Sequence, residues 1–408
     1  MNKFNGLRHG EEKIIAARSR DIPIVDSKIT SLKKPLKLNT DGSMIVHNPV
    51  NLVSKSIPFK TQSLEKFGRI EIVMVSTKQP SKNVAINFDP EVIRCILLQR
   101  FARVEVTIIR TRKDLDDLAK RQPDLVFSGV KYFNFDNQTL WLNEFLDQNQ
   151  IPYIGSEKKA LDREFNKTAA KKLTYNAGLK TALYASVPPG ELLSRLPANM
   201  QFPVFIKPAC GGDSIGIDAA SLAHNALDME SKIKQLSASL NCEVLVEQYL
   251  SGKEYSVGII ENDSTKTLTA MPIEIRTSKN KQGHRILDFQ TKKTDAEEVL
   301  AVSNRQIHVA LSDLAKSVFR VLGGSAFGRI DIRMCASGIP HFMEANLMPG
   351  LKKGYFYRAC ALNLGMSYEQ MIIGLAENRI GTSLGQTKKR KFKRVGAFVA
   401  SEPLLQPI

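Results

Sequence analysis

The chain has 408 residues, 43% hydrophobic and 24% charged, an ordinary soluble composition with room for two or three domains. No apolar run approaches the roughly 20 residues of a membrane helix, and the opening MNKFNGLRHGEEK lacks an apolar stretch of signal-peptide length. The formal net charge of +17 is concentrated partly in SLKKPLK (31–37) and KKRKFKR (388–394), which favours solvated basic segments plus a phosphate-binding cleft over a nucleic-acid surface.

Residues 1–65 are rich in Lys, Ser, Asn and Pro and read as a partly ordered extension. RIEIVMVS (69–76) is a buried strand, and DPEVIRCILLQRFA a helix capped by Asp89 with Pro90 at its first position. RVEVTIIR and PDLVFSG are strands, and QTLWLNEFLDQN reads as an amphipathic helix before IPYIGS. Alternating strands and helices imply an open, largely parallel sheet, so 66–156 is expected to be one α/β domain. In a central segment, 157–250, the helices EFNKTAAKKLTYNAG and LAHNALDMESKIKQLSASL flank the strands FPVFIKPA and CEVLVEQYL. A third segment, 251–385, mixes the strands EYSVGIIE and AMPIEIR with the helices SNRQIHVALSDLAKSVFRVLG and SYEQMIIGLAENRI. A basic tail, 386–408, follows.

The five cysteines (Cys95, Cys210, Cys242, Cys335, Cys360) are scattered without CxxC spacing, and the six histidines are equally dispersed. This argues against a zinc site or a disulfide framework and fits a reducing cytoplasm. Any metal chemistry must then rest on carboxylates, which suit hard cations such as magnesium.

Four stretches could carry chemistry. FPVFIKPACGGDSIGID sets Lys207 at a strand end, followed by Gly211, Gly212, Ser214 and Gly216; such a turn lets backbone N–H groups approach phosphate oxygens. A flexible hairpin with an incidental lysine is the alternative. VLVEQYLSGKEYSVGI ends one strand at Glu247 and starts another at Glu254, bracketing a connector that can offer backbone groups to a base edge, though surface glutamates are common. Lys292 and Lys293 form a short basic pair that could reach an anion or simply be solvated. Finally, GRIDIRMCASGIPHFMEANLMPG (328–350) reads as a β-hairpin. Counting outward from a turn centred on Ser337-Gly338 sets Asp331 opposite Glu344 and Arg329 opposite Asn346, all on one face. Like charges placed opposite are destabilising; a magnesium ion between them would turn the repulsion into binding. A different register, leaving both charges in water, is the alternative.

In this order and spacing, IPYIGS…NKTAAKKL, FPVFIKPACGGDSIG, VEQYLSGKEYSV and GRIDIRM…HFMEANLMPGL resemble the ATP-grasp superfamily, and within it the D-alanine–D-alanine ligases, over roughly residues 66–385. The resemblance implies an ATP-grasp fold of three α/β subdomains, with nucleotide bound between the central and C-terminal ones. It implies that Lys167 and Lys207 hold the nucleotide phosphates under the Gly211–Gly216 turn with Ser214. Glu247, Gln248 and Leu250 match the adenine connector, Glu254 the ribose ligand and Lys292 a further phosphate contact. Asp331, Glu344 and Asn346 match the ligands of two magnesium ions, with manganese as a substitute. Arg329 and Gly350 match positions that stabilise the reacting carboxylate or tetrahedral intermediate.

The implied activity is carboxylate activation by ATP to an acyl phosphate, followed by amine attack, with a small-molecule acid and amine as substrates. The resemblance also allows a homodimer and requires neither membrane nor nucleic acid. The match fails on the amino-acid side. The family's Gly-Gly-x-Ser-x-Glu segment is absent from VMVSTKQPSKNVAINFD, its His-Gly-x-x-Gly-Glu-Asp-Gly loop is represented only by SGVKYFNFDNQT, and Tyr355-Phe356 replaces the Ser-Leu that clamps the second D-alanine. Together with Lys352 and Lys353, these departures point to an acid or amine other than D-alanine, one that is larger or more anionic. The rival readings are a cell-wall D-alanine–D-alanine ligase and a non-catalytic nucleotide-dependent binding protein with basic tails.

Overall fold

A computed structural model describes residues 68–76, 88–135, 138–212, 214–278 and 297–381; the extension 1–65, Lys292, Lys293 and the basic tail lie outside the described residues. Strand β1 (Arg69–Val75) leads into α1 (Pro90–Leu97), whose cap Asp89 accepts from the N–H groups of Glu91 and Val92. Strand β2 (Arg103–Ile109), helix α2 (Arg112–Arg121) and strand β3 (Leu125–Ser128) complete a parallel sheet of order β2-β1-β3. The stretch expected as one helix from Gln138 divides. β4 (Tyr132–Phe135) and β5 (Gln138–Trp141) form a hairpin, and α3 (Leu142–Gln148) starts only afterwards. Thr139 and Trp141 are good strand formers, and cross-strand pairing with Asn134 and Tyr132 outweighs the helical pattern.

The next expected helix, from Glu164, corresponds to α5 (Lys167–Asn176), and a separate helix, α4 (Lys158–Phe165), precedes it. Asn166 between them is extended, and its side chain caps α5 by accepting from the Ala169 N–H. Strands β6 (Tyr184–Val187), β7 (Val204–Pro208) and β8 (Leu222–Ala223), helix α6 (Ala226–Leu240) and strand β9 (Val244–Gln248) make an antiparallel sheet of order β6-β9-β7-β8. Met229, Ile233 and Leu236 of α6 are buried with Val204, Ile206, Val244 and Val246 of this sheet.

Strands β10 (Glu254–Glu261), β11 (Leu268–Arg276) and β12 (Glu298–Ala301), helix α7 (Arg305–Val321), strands β13 (Phe327–Met334) and β14 (Pro340–Asn346), and helix α8 (Tyr355–Leu364) follow. A last helix, α9, covers 368–381. The strands form an antiparallel sheet of order β12-β11-β10-β13-β14. Helix α7 covers one face so closely that a Cβ on Gly328 would stand 2.6 Å from the Phe319 ring. On the opposite face α8 packs over Gly258, where a Cβ would stand 3.0 Å from that of Ala359. The rest of that second face carries Ser256, Arg329 and Asp331. Strands β6 and β12 and helix α8 are not apparent in the sequence pattern. Among the described residues no helix is long and apolar enough to cross a membrane.

Candidate active site

In the β13–β14 hairpin Arg329 pairs with Asn346 and Asp331 with Glu344, as the sequence count implied. The turn differs from expectation. Beyond Asp331 the register shifts by one, so that Ile332 meets Phe342 and Met334 meets Pro340, leaving a five-residue loop, Cys335–Ile339. Met343 is the extra residue of a β-bulge, which re-aims side chains. Phe342 and Ala345 are buried while Met343 and Glu344 are both half-buried, and these two neighbours line the same cleft. The bulge is anchored where Phe342 donates its N–H to the Lys180 carbonyl (2.9 Å) and accepts from the Thr181 hydroxyl (2.9 Å).

The charge conflict at Asp331 is met within the protein. Arg329 donates from Nε to Oδ1 and from Nη2 to Oδ2, both at 2.9 Å, while the Ser256 hydroxyl donates to Oδ1 at 2.6 Å. Burial works against the Arg329 charge, but Asp331 outweighs it and the guanidinium pKa is raised. The Tyr355 ring lies 5.4 Å from that guanidinium, and the Tyr355 hydroxyl donates to the buried carboxylate of Glu297.

Two of the expected lysines converge from different elements. Lys207, on β7, is buried with its Nζ 2.7 Å from Glu247 Oε2. Lys167, at the first position of α5, donates from Nζ to the Gly211 carbonyl at 2.6 Å. Its own N–H binds the Ala209 carbonyl at 2.8 Å, tying the helix start to the end of β7. A third lysine, Lys171, is absent from the sequence expectations. It is fully buried, one helical turn beyond Lys167, and it salt-bridges Glu247 Oε1 and donates to the Thr181 hydroxyl at 2.9 Å. Burial lowers the pKa of Lys167, with Glu344 opposing. Burial brings Lys171 down to about 8 despite Glu247. At Lys207 burial pulls the same way, but Glu247 and then Glu344 prevail and its pKa is raised. Burial likewise opposes the Glu247 charge, yet Lys171 and Lys207 hold its pKa below the usual carboxylate value.

An open cleft gathers Lys207, Ser214, Glu247, Gln248, Leu250, Glu254, Asp331 and Glu344. A smaller adjoining recess gathers Lys167, Lys207, Gly211, Gly212, Ser214 and Glu344. Gly211 needs its freedom, since its φ is +91°. The Gln248 side chain is engaged by the backbone of Gln201 at 2.8 and 3.0 Å, and its N–H by the Leu183 carbonyl at 2.8 Å. Arg333, unforeseen in the sequence, also lines the cleft and joins its two ends of the connector. It donates to Glu254 at 3.1 Å and to the Tyr249 hydroxyl at 3.2 Å. The connector is fixed to the hairpin by Gly252 N–H to Met334 carbonyl and Met334 N–H to Lys253 carbonyl bonds, both 2.9 Å. Gly216 and Gly350 line neither cavity: Gly216 packs against Leu236 of α6 and Gly350 is exposed beyond β14.

No group of three His, Cys, Asp or Glu side chains suited to a metal occurs among the described residues. The hairpin instead offers two carboxylates and one amide on one face, with the Asn346 amide nitrogen 3.5 Å from Asp331. That all-oxygen donor set fits magnesium, whose remaining positions are normally filled by phosphate oxygens and water.

Residues 173–377, just over half of the chain, match the family model described as the D-ala D-ala ligase C-terminus, and the chain belongs to that family. It is 29% identical over 235 residues to the D-alanine–D-alanine ligase of Streptococcus thermophilus, covering 56% of this chain and 64% of that protein. The Streptococcus pyogenes serotype M49 enzyme is 27% identical over the same shares. The chain thus spans less than two thirds of the length of these curated relatives. The D-alanine–D-alanine ligase of Bacillus anthracis complexed with ATP superposes with a TM-score of 0.57 at 18% identity, over 79% of this chain and 99% of that one. For the VanG D-Ala:D-Ser ligase of Enterococcus faecalis the TM-score is 0.55 at 18% identity, over 77% and 99%. The fold is therefore ATP-grasp, as the motifs implied.

Proposed function

We propose that the chain is an ATP-dependent carboxylate–amine ligase, joining an amino acid to another amino acid or small carboxylic acid through an acyl phosphate. The observation that carries this reading is the order of groups along one face of β13. Arg333 stands by Glu254, Asp331 by Glu344, and Arg329 by Tyr355. Four residues of strand span roughly 13 Å, room for a phosphate chain between a ribose at Glu254 and a reacting carboxylate near Arg329.

In this reading the Glu247–Leu250 connector takes the base and Glu254 the ribose. Lys167, Lys207 and the N–H groups of the Gly211–Gly216 turn hold the phosphates, with Lys292 as a further contact. Asp331, Glu344 and Asn346 would hold one or two magnesium ions, or manganese, which neutralise charge on the transferring phosphoryl group. Arg329, now shared with Asp331, stabilises the oxyanion of the acyl centre, and the Gly350 backbone assists.

The substrates are set apart from D-alanine by Tyr355, which stacks on Arg329 and binds Glu297 where the family resemblance places the clamp of the second D-alanine. Family membership favours the cell-wall D-alanine–D-alanine ligase as the second reading. A screen of ADP release over amino acids and small carboxylic acids, with products identified by mass spectrometry, decides between them. Efficient D-alanyl-D-alanine formation would restore the second reading. Glu344→Ala should abolish acid-dependent ADP release in a folded protein, and unchanged turnover would remove the metal assignment.

A further inference from the structure

Two of the five cysteines meet at the phosphate cradle. Strands β7 and β9 are antiparallel, with Pro208 opposite Val244. One step further, the Ala209 N–H still donates to the Glu243 carbonyl at 2.9 Å. The next step sets Cys210 against Cys242. Directly opposed residues of an antiparallel ladder lie about 4.5–5.5 Å apart at Cα, inside the span of about 4.4–6.8 Å that a disulfide bridges. Both thiols are half-buried, and each is within electrostatic reach of Lys167.

On its other side Cys210 bridges to Asn166, the cap of α5. That bridge is flanked by the bonds from Lys167 N–H to the Ala209 carbonyl (2.8 Å) and from Gly211 N–H to the Phe165 carbonyl (3.2 Å). Cys210 thus joins the sheet to the helix that presents Lys167. It also lines the smaller cavity with Lys167, Lys207 and Gly211. The residue after it, Gly211, has the positive φ that starts the glycine-rich turn.

We propose that Cys210 and Cys242 form a dithiol modification site, oxidised to an intramolecular disulfide by a small disulfide of the glutathione type, and that the bond weakens nucleotide binding. The second clause rests on the nucleotide reading above. One cysteine thiolate attacks a sulfur of oxidised glutathione and expels glutathione thiolate. The other then attacks the mixed disulfide, closing the protein S–S bond and expelling the second glutathione, and the two thiol protons pass to the leaving thiolates. The protein loses two electrons, and one glutathione disulfide is reduced. The bond holds residue 210 to the end of β9, so the turn beginning at Gly211 cannot adjust around phosphate. Burial pushes both thiols up, and the Glu243 carboxylate adds to it, so exchange is slow at neutral pH and needs oxidant in excess.

The test treats the full chain with oxidised glutathione, maps disulfides by mass spectrometry of digests, and titrates the non-hydrolysable ATP analogue AMP-PNP with magnesium. The expected result is a Cys210–Cys242 crosslinked peptide and a nucleotide Kd raised about fivefold or more, the lower range of coupling between two sites. Dithiothreitol should reverse both, and Cys242→Ser should give neither. A map in which these two cysteines stay reduced or pair elsewhere overturns the site. A crosslink that leaves Kd unchanged overturns the effect on binding. Failure of the reduced protein to bind AMP-PNP refutes the nucleotide reading and with it that second clause, while the peptide map still decides the dithiol site.

Discussion

Glu247 is the residue whose replacement should be felt most strongly. It is fully buried, and its two oxygens face the buried ammonium groups of Lys171 and Lys207. Glu247→Gln removes the only negative charge of that triad and leaves two cations in a dry interior. Breaking a buried pair by removing one partner costs about 3–5 kcal/mol. The alternative, surrendering a lysine proton at pH 7, costs about 4.6 kcal/mol from an ordinary pKa of about 10.4. The two routes agree, so urea unfolding at pH 7 should show a loss of about 3–5 kcal/mol.

The pH dependence supplies the sign. A lysine that is neutral in the folded variant but protonated when unfolded makes stability rise with pH. The deficit against wild type should therefore narrow by about 1.4 kcal/mol per pH unit above pH 7. It stops narrowing near pH 8, where Lys171 of the wild type begins to lose its own proton. Lys171→Met is the control: it leaves Glu247 neutralised by Lys207 alone and should stay near wild-type stability, while weakening triphosphate binding because one positive charge beneath the cleft is lost and Lys167 remains as the uncompensated lysine. A Glu247→Gln protein as stable as wild type, or less stable at pH 8 than at pH 7 relative to it, would refute this reasoning.

Gly252→Ala would drive a Cβ to 2.5 Å from the Met334 carbonyl oxygen, in backbone that cannot yield. A loss of about 1–3 kcal/mol in urea unfolding is expected from such overpacking, with a higher ATP KM because the connector is displaced. Arg333→Met removes the donor that holds Glu254 and the Tyr249 hydroxyl, so the KM for ATP should rise with little change in kcat; a fall confined to kcat would contradict this placement.

Much of this arrangement is legible in the sequence, and the exceptions have physical causes. The Asp331–Glu344 pairing comes out correctly although the turn is five residues long, because the bulge at Met343 restores the register that the longer turn displaces. Strict alternation could not have placed Met343 beside Glu344 in the cleft. Lys171 looks like one more lysine on a helix face. What distinguishes it is the approach of Glu247 and Thr181 from other elements, which no local pattern encodes. Helix α8 hides for a similar reason: YFYRACALNL is rich in aromatic and small residues, and it is helical because Phe356, Ala359 and Cys360 are buried against the sheet.

The half proposed to bind nucleotide is readable because its groups sit in short motifs at or beside strand ends. In the proposed reading the acceptor half would be assembled from Glu297 before β12, Arg329 on β13 and Tyr355 at the start of α8, and Glu297 and Tyr355 are 58 residues apart in the chain. Chemistry distinguishes this corner from a clamp for an amino-acid carboxylate. Tyr355 covers the Arg329 guanidinium, and the buried Glu297 carboxylate beside it repels a second carboxylate. Tyr355→Ser should therefore raise D-alanyl-D-alanine formation above wild type by opening access to Arg329. Replacing Glu297 by Ser as well should raise it further by removing the repulsion. Dipeptide yields measured by mass spectrometry at saturating ATP test both steps. If neither variant gains over wild type, discrimination against D-alanine does not reside at Tyr355 and must lie on the acid-binding side of Arg329.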